Sequence, residues 1–252
     1  MKALWVVIAG CSRAAVIGQP GDTAIVDVTL VPMTSDAELP HQTVVIRGDA
    51  IVAIAPASAT LAREVKAIDG RGKWLMPGLA DMHVHTWRPE DLTMFVAAGV
   101  TTIRNMWGTP LHLAWRRQIA AGRLFGPTII TSGNLIDGKP AAWPGSFELE
   151  DPGQADSLVT TEQAAGYDFV KVVNKLTRPA YEALVHAAEA HHRDVAGHVP
   201  WAEGLAGVLA AHQHSVEHLD GVLDVLVPNP AQLPAAEDDA WVPFVLANAD
   251  LA

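Results

Sequence analysis

The chain has 252 residues, half of them hydrophobic and 18% charged, with 17 basic against 28 acidic side chains and a formal net charge of −11. That apolar content excludes a disordered chain, and the acidic balance excludes a nucleic-acid partner because nothing supplies a basic field. A single cysteine, Cys11, excludes a disulfide framework and a cysteine-based zinc cluster, while eleven histidines point toward metal chemistry.

At the N-terminus one base, Lys2, precedes the apolar run Ala3–Ala9. This run is far short of the ~20 residues a helix needs to cross a bilayer, but it has the make-up of a signal-peptide core. It leads into Ile8-Ala9-Gly10-Cys11, which resembles the lipobox of bacterial lipoproteins. The resemblance implies a lipid-anchored Cys11 in a periplasmic or outer-membrane protein. A buried first strand with an incidental cysteine, in a cytoplasmic protein, is the competing reading. Residues 1–11 are thus a candidate signal segment and 12–22 a linker. No later run is apolar for about 18 residues, so no transmembrane helix is expected and any membrane contact rests on the lipid anchor.

Residues 23–72 read as a small β unit. Ala24–Val31 is rich in β-branched residues, and Thr43–Arg47 and Ala50–Ile54 flank a tight turn at Gly48-Asp49. Arg47-Gly48-Asp49 spells an integrin-binding tripeptide, but the hairpin context makes it the charged shoulder of a turn. Val65–Ile68 continues the β pattern, and the segment holds no ligand set.

From residue 73 to 252 short β-rich runs alternate with helical stretches. The runs are Gly78–His85, Gly99–Arg104, Gly126–Thr131, Tyr167–Val173, Asp194–His198 and Ser215–Leu219. Arg178–Ala190 is a helix with Thr177 as N-cap, Pro179 in its first turn and Ala180, Leu184, Val185 and Ala188 on one face. Trp201–Ala211 is a second. Such alternation predicts an α/β fold with a helix-covered parallel sheet. Six successive units suggest an incomplete (β/α)8 barrel of the TIM type, in which functional residues sit at the C-terminal ends of strands.

The histidines fall at those ends. His83 and His85 are two apart and share one face of a strand, where two imidazoles can grip one divalent ion at ~2.0–2.1 Å. His198 and His218 each end a separate run. A single histidine is ordinarily a surface or core residue, but four at three strand ends form a pattern. Lys171 stands inside the apolar run Phe169–Val173. Burying an ammonium is costly, so such a lysine either snorkels from an edge strand or loses its charge and gains a reactive amine, suited to a Schiff base or a carbamate.

Taken together these residues resemble the amidohydrolase superfamily over about residues 23–225. Val44–Ile54 resembles its N-terminal β-sandwich hairpin, and Leu75-Met-Pro-Gly-Leu-Ala-Asp-Met-His-Val-His85 its strand-one signature. Gly99–Arg104 resembles strand two, although Asn105 stands where relatives usually carry Asp. Asp168-Phe-Val-Lys171, Ala196-Gly-His-Val199 and Ser215-Val-Glu-His218 resemble strands four, five and six. The nearest branch is the imidazolonepropionase-like and Xaa-Pro dipeptidase (prolidase)-like group. The resemblance implies two divalent metal ions, most often zinc. His83 and His85 would hold the first, His198 and His218 the second, and a carboxylated Lys171 would bridge them. It implies hydrolysis of a C–N bond in a small amide, cyclic amide or peptide through a metal-bridging hydroxide. Trp87 is either a wall of the substrate pocket or an ordinary loop anchor.

The superfamily also places an aspartate at the end of strand eight, and no acid after His218 follows a run that could be that strand. The sequence is therefore expected to be the N-terminal part of a longer enzyme, or a truncated and inactive one. The alternatives are a non-catalytic metal-binding lipoprotein, a mononuclear deaminase that does without the lysine, and a Schiff-base aldolase that would leave the histidines unexplained. Substrate identity and oligomeric state are not legible.

Overall fold

The computed structural model describes residues 16–222, 224–227 and 241–248. The candidate signal segment, Cys11 included, lies outside the described residues. Among them no helix is long and apolar enough to cross a membrane. The chain divides into two compact units at Gly78/Leu79.

The first unit is built of β1 (Val16–Ile17), β2 (Thr23–Leu30), β3 (Leu39–Arg47), β4 (Ala50–Pro56), β5 (Thr60–Leu61), β6 (Lys66–Asp69) and β7 (Trp74–Leu75). β1 pairs with β5, and the others form a five-stranded sheet in the order β4-β3-β2-β6, with β7 also on β2. The expected hairpin is present: Arg47 opposes Ala50 across Gly48-Asp49, and Gly48 takes φ +59°. Val28, Leu30 and Val44 form its small core. Arg47 donates to both oxygens of the buried Asp22 at 2.9 and 3.0 Å. The arginine of the tripeptide is therefore committed to a structural ion pair.

The second unit follows the strand–helix alternation: β8 (Leu79–Val84), α1 (Pro89–Ala97), β9 (Val100–Asn105), α2 (Pro110–Ala120), β10 (Thr128–Asp137), β11 (Phe147–Glu148), α3 (Ala155–Ala165), β12 (Phe169–Val172), α4 (Arg178–Ala190), β13 (Val195–Gly197), α5 (Gly204–Ala210), β14 (Ser215–Val216) and α6 (Trp241–Asn248). The sheet order β14-β13-β12-β10-β9-β8 simply reverses the chain, every pairing is parallel, and β11 adds to β10. This is a curled parallel half-barrel of six main strands. Its curl brings the two ends together: Arg104 on β9 donates to Ser215 at 3.1 Å and to Glu217 at 2.6 Å, beside β14.

Alternation along each strand sorts the side chains. Val84, Ile103 and Ile129 face outward and pack with Leu92 and Trp115 of the helices. Val170, Val172 and Val195 face the larger helical core around Leu184 of α4. On the opposite face Phe169 and Ala196 pack with Met106, and the same parity aims His83, Arg104 and Lys171 inward. α4 spans the predicted residues, and the Thr177 hydroxyl accepts the Ala180 N–H at 3.4 Å. The second predicted helix is shorter: Trp201–Glu203 is a turn, and α5 begins at Gly204, whose φ of +66° a helix cannot continue through. The segment Val222–Val227 contains one 3-10 turn, Asp224–Leu226.

Candidate functional site

Four imidazoles and one amine gather where β8, β12, β13 and β14 end. The His83 ring centroid lies 5.2 Å from that of His85 and 4.5 Å from that of His218, and His198 lies 5.0 Å from His218. His83 leaves β8 on the face opposite Val84, and His85 follows one residue past the strand. His198 follows β13 with the inward parity of Ala196. His218 does not follow from alternation, since Glu217 takes the inward position. His218 and Leu219 both adopt φ +59°, and this left-handed turn carries the imidazole back to the cluster.

Lys171 is 1% exposed on β12, which runs between β10 and β13. The edge-strand snorkelling alternative therefore fails. Its Nζ has no hydrogen-bond partner. Burial pushes the amine down to about 8 despite the opposing charges of Glu217 and Asp220, with Arg104 acting in the same direction as burial. Gly197 makes the room: a Cβ there would stand 2.2 Å from the Val172 carbonyl oxygen and 3.1 Å from Lys171 Cδ. His85 is pushed down to about 4, by burial first and then by the charges of His83, Lys171, His218 and His198. His218 shifts down for the same reasons, burial first. Both imidazoles are thus kept neutral, the form that donates a lone pair.

Two carboxylates orient the cluster. His83 donates from Nδ1 to Glu217 Oε2 at 2.7 Å, and His198 Nδ1 meets Asp220 Oδ2 at 2.7 Å. Each bond fixes a tautomer and leaves Nε2 free to accept, the second-sphere arrangement typical of ligating histidines. His83 Nε2 is buried without a partner. Burial raises Glu217, but hydrogen bonds from Ser215 and His83 and the Arg104 charge outweigh it and leave the carboxyl lowered. Asp220 is lowered in the same way, burial being outweighed by the bond and charge of His198, by Asn174 and by His218. Among the described residues, no three His, Cys, Asp or Glu side chains form a ready ligand group for one ion. Glu217 and Asp220 are engaged at the Nδ1 atoms, and Lys171 offers no anionic oxygen unless it is carboxylated. The orphaned Nζ and Nε2 nevertheless fit an electrophilic guest, because a buried polar atom without a partner costs about 1–3 kcal/mol.

Sequence reasoning missed Arg104, Glu217 and Asp220. The inward parity of Ser215 and Glu217 could have found Glu217, but nothing local marks Asp220. Asn105 is fully buried and structural: its amide donates to the Trp107 carbonyl at 2.8 Å and to Thr131 at 3.0 Å. An aspartate there would lose the bond to the Trp107 carbonyl and set two acceptors against each other. His112, also fully buried, accepts the Thr109 N–H at Nδ1 and meets the Thr86 carbonyl at Nε2, 2.7 Å away. A carbonyl only accepts, so Nε2 carries the proton, and the bond pins the loop directly after His85 to the start of α2. Trp87, on that loop, is 47% exposed and packs edge-on against Trp107 at 5.3 Å.

A curled parallel sheet with its polar residues gathered at strand ends is the half-barrel of a TIM-type fold. More specifically, the chain has the fold of the amidohydrolase superfamily, whose enzymes are its structural neighbours. The bottromycin amidohydrolase matches with TM-score 0.74 and 27% identity over 92% of this chain and 49% of its own. A protein described as a prolidase from Bifidobacterium longum matches with TM-score 0.63 and 24% identity, over 75% of this chain and 51% of its own. A Xaa-Pro dipeptidase with methionine bound in its active site matches with TM-score 0.64 and 23% identity, over 76% and 59%. The last two likenesses speak to fold alone. No family model and no curated protein matches the chain. The chain spans about half the length of the first two of these structures.

Proposed function

We propose that this chain carries most of the metal-binding half of a hydrolase that cleaves C–N bonds in small amides, cyclic amides or peptides. The observation that carries the reading is Lys171: an amine whose charge burial disfavours, 1% exposed and without a hydrogen-bond partner, in a cluster with four histidines. The likeness to a bottromycin amidohydrolase supports amide chemistry.

In this reading His83 and His85 would hold one divalent ion and His198 and His218 a second, zinc being the candidate, and Lys171, once carboxylated, would supply anionic oxygen donors to them. The neutral Nζ adds to carbon dioxide, forming an N–C bond, and releases one proton to solvent. The amine thereby becomes an anion and acquires two oxygen donors. Bound dications would supply Lewis acidity and a water of lowered pKa. The chain's own residues keep the imidazoles neutral and in register: Glu217 holds the Nδ1 proton of His83, Asp220 holds that of His198, and Arg104 fixes Glu217. Trp107 stands edge-on to His85 at 6.4 Å, with Trp87 packed behind it. The lipid anchor at Cys11 belongs to the same proposal and is testable by the mass of the mature N-terminus.

The test is metal content together with carbamate detection. Protein purified with zinc and 13C-bicarbonate is expected to hold two ions per chain and to show a carbamate 13C resonance that Lys171→Ala abolishes. One ion per chain, unaffected by Lys171→Ala, would favour the mononuclear deaminase reading. Two ions with no turnover of Xaa-Pro dipeptides, N-acyl amino acids or cyclic amides would favour a non-catalytic metal-binding chain.

A further inference from the structure

A separate cleft lies in the same unit, with a volume of about 420 Å³. Its walls include Trp87, Trp107, Asn134, Gly145, Glu162 and Tyr167. None of these is in the histidine cluster, although the Trp107 ring stands 6.4 Å from that of His85.

Three features distinguish this cleft from an ordinary surface crevice. The two indoles meet at 82° with centroids 5.3 Å apart, forming an aromatic corner. That corner is rigid on one side: Trp107 Nε1–H donates to Asn134 Oδ1 at 3.0 Å, and Asn134 in turn donates to the Gly145 carbonyl at 2.7 Å. Glu162 is only 8% exposed; one carboxylate oxygen accepts the Asn134 N–H at 3.1 Å, and the other is buried with no partner. The backbone makes way for this acid, since a Cβ on Gly133 would lie 2.0 Å from its oxygen. A buried acid with one unpartnered oxygen, lining the same cleft as the two indoles, is the complement of an organic cation. Ring quadrupoles attract the cation at the face, and a carboxylate behind them adds charge in a low-dielectric surround.

We infer that this cleft is a binding site for an alkylammonium group, held at the Trp87–Trp107 corner with Glu162 as counter-charge. The ligand class is a small amine or the ammonium-bearing part of a larger molecule. The site needs no metal and does not depend on the proposed hydrolase reading.

The experiment is equilibrium binding to the metal-free 252-residue chain at pH 8, above the value of about 7 to which burial pushes Glu162, with n-butylammonium as probe and 1-butanol as its neutral isostere. Ligand-observed NMR titrations suit the millimolar range expected of so small a ligand. Butylammonium should bind at least about tenfold more tightly than butanol, a preference of about 1.4 kcal/mol. Trp87→Ala, a change at a half-exposed position whose folding is checked by circular dichroism, should weaken butylammonium about fivefold or more. Glu162→Gln should bring the two probes to similar affinity. Equal binding of the two probes by the unaltered chain, or a cation preference that survives both substitutions, would overturn the inference. So would the absence of any butylammonium binding to protein whose circular dichroism shows it folded.

Discussion

The buried Glu162 makes stability depend on pH in a direction opposite to that of most carboxylates. Burial pushes its carboxyl up to about 7, against the Asn134 N–H and the Arg193 charge. Below pH 4.5 the carboxyl is protonated in both the folded and unfolded chain. Between 4.5 and 7 the unfolded chain releases the proton and the folded chain keeps it, so stability falls as pH rises through this window. Moving the value from 4.5 to about 7 corresponds to a loss of about 3 kcal/mol. His85 works the other way: held at about 4, it favours the fold as pH rises from 4 to its ordinary 6.5. The measurement is therefore a difference. Urea unfolding of the unaltered chain and of Glu162→Gln, at pH 5 and pH 8, cancels the histidine contribution common to both. The variant should gain about 2–3 kcal/mol on the unaltered chain between the two pH values. A difference that stays constant within about 0.5 kcal/mol would refute the argument that desolvation of this acid outweighs the Asn134 N–H and the Arg193 charge.

Lys171→Met keeps the volume and removes an unpartnered amine, so the metal-free chain should gain about 1–3 kcal/mol, read as a higher Tm, while zinc binding measured by calorimetry weakens. Glu217→Ala leaves Arg104 buried without its partner and frees the His83 imidazole. Unfolding free energy should fall by about 3–5 kcal/mol, whereas Glu217→Gln should lose less. Gly197→Ala places a Cβ 2.2 Å from the Val172 carbonyl oxygen at a φ of +143°; the loss should exceed the ~0.5–3 kcal/mol of ordinary substitutions, read as insoluble or unfolded protein by circular dichroism.

Much of the site was legible because strands sort side chains by parity. His83 with His85, Lys171 within Phe169–Val173, and His198 all follow from reading alternate residues in apolar runs, and the six strands of the half-barrel follow from the alternation of β-rich and helical stretches. Thr177, Pro179 and the spacing of Leu184 similarly settled α4, because caps and helical faces are local properties. The hairpin at Gly48-Asp49 belongs to the same class.

What the sequence by itself determined was which elements form and which side chains lie on their inward faces, since dihedral preference and periodicity act within a few residues. Only the tertiary structure decided how those faces meet. Curling of the sheet brings Arg104 to Glu217, over a hundred residues away, and so converts two ordinary charges into the frame that orients His83. Left-handed φ values at His218 and Leu219, which no alternation pattern announces, turn a misdirected imidazole toward His83 and His198. Burial of Lys171 is likewise a property of neighbours: β10 and β13 flank its strand, and the absent side chain of Gly197 leaves room for its own. Desolvation is set by everything that surrounds a group in space, and a chain read one residue at a time does not contain that sum.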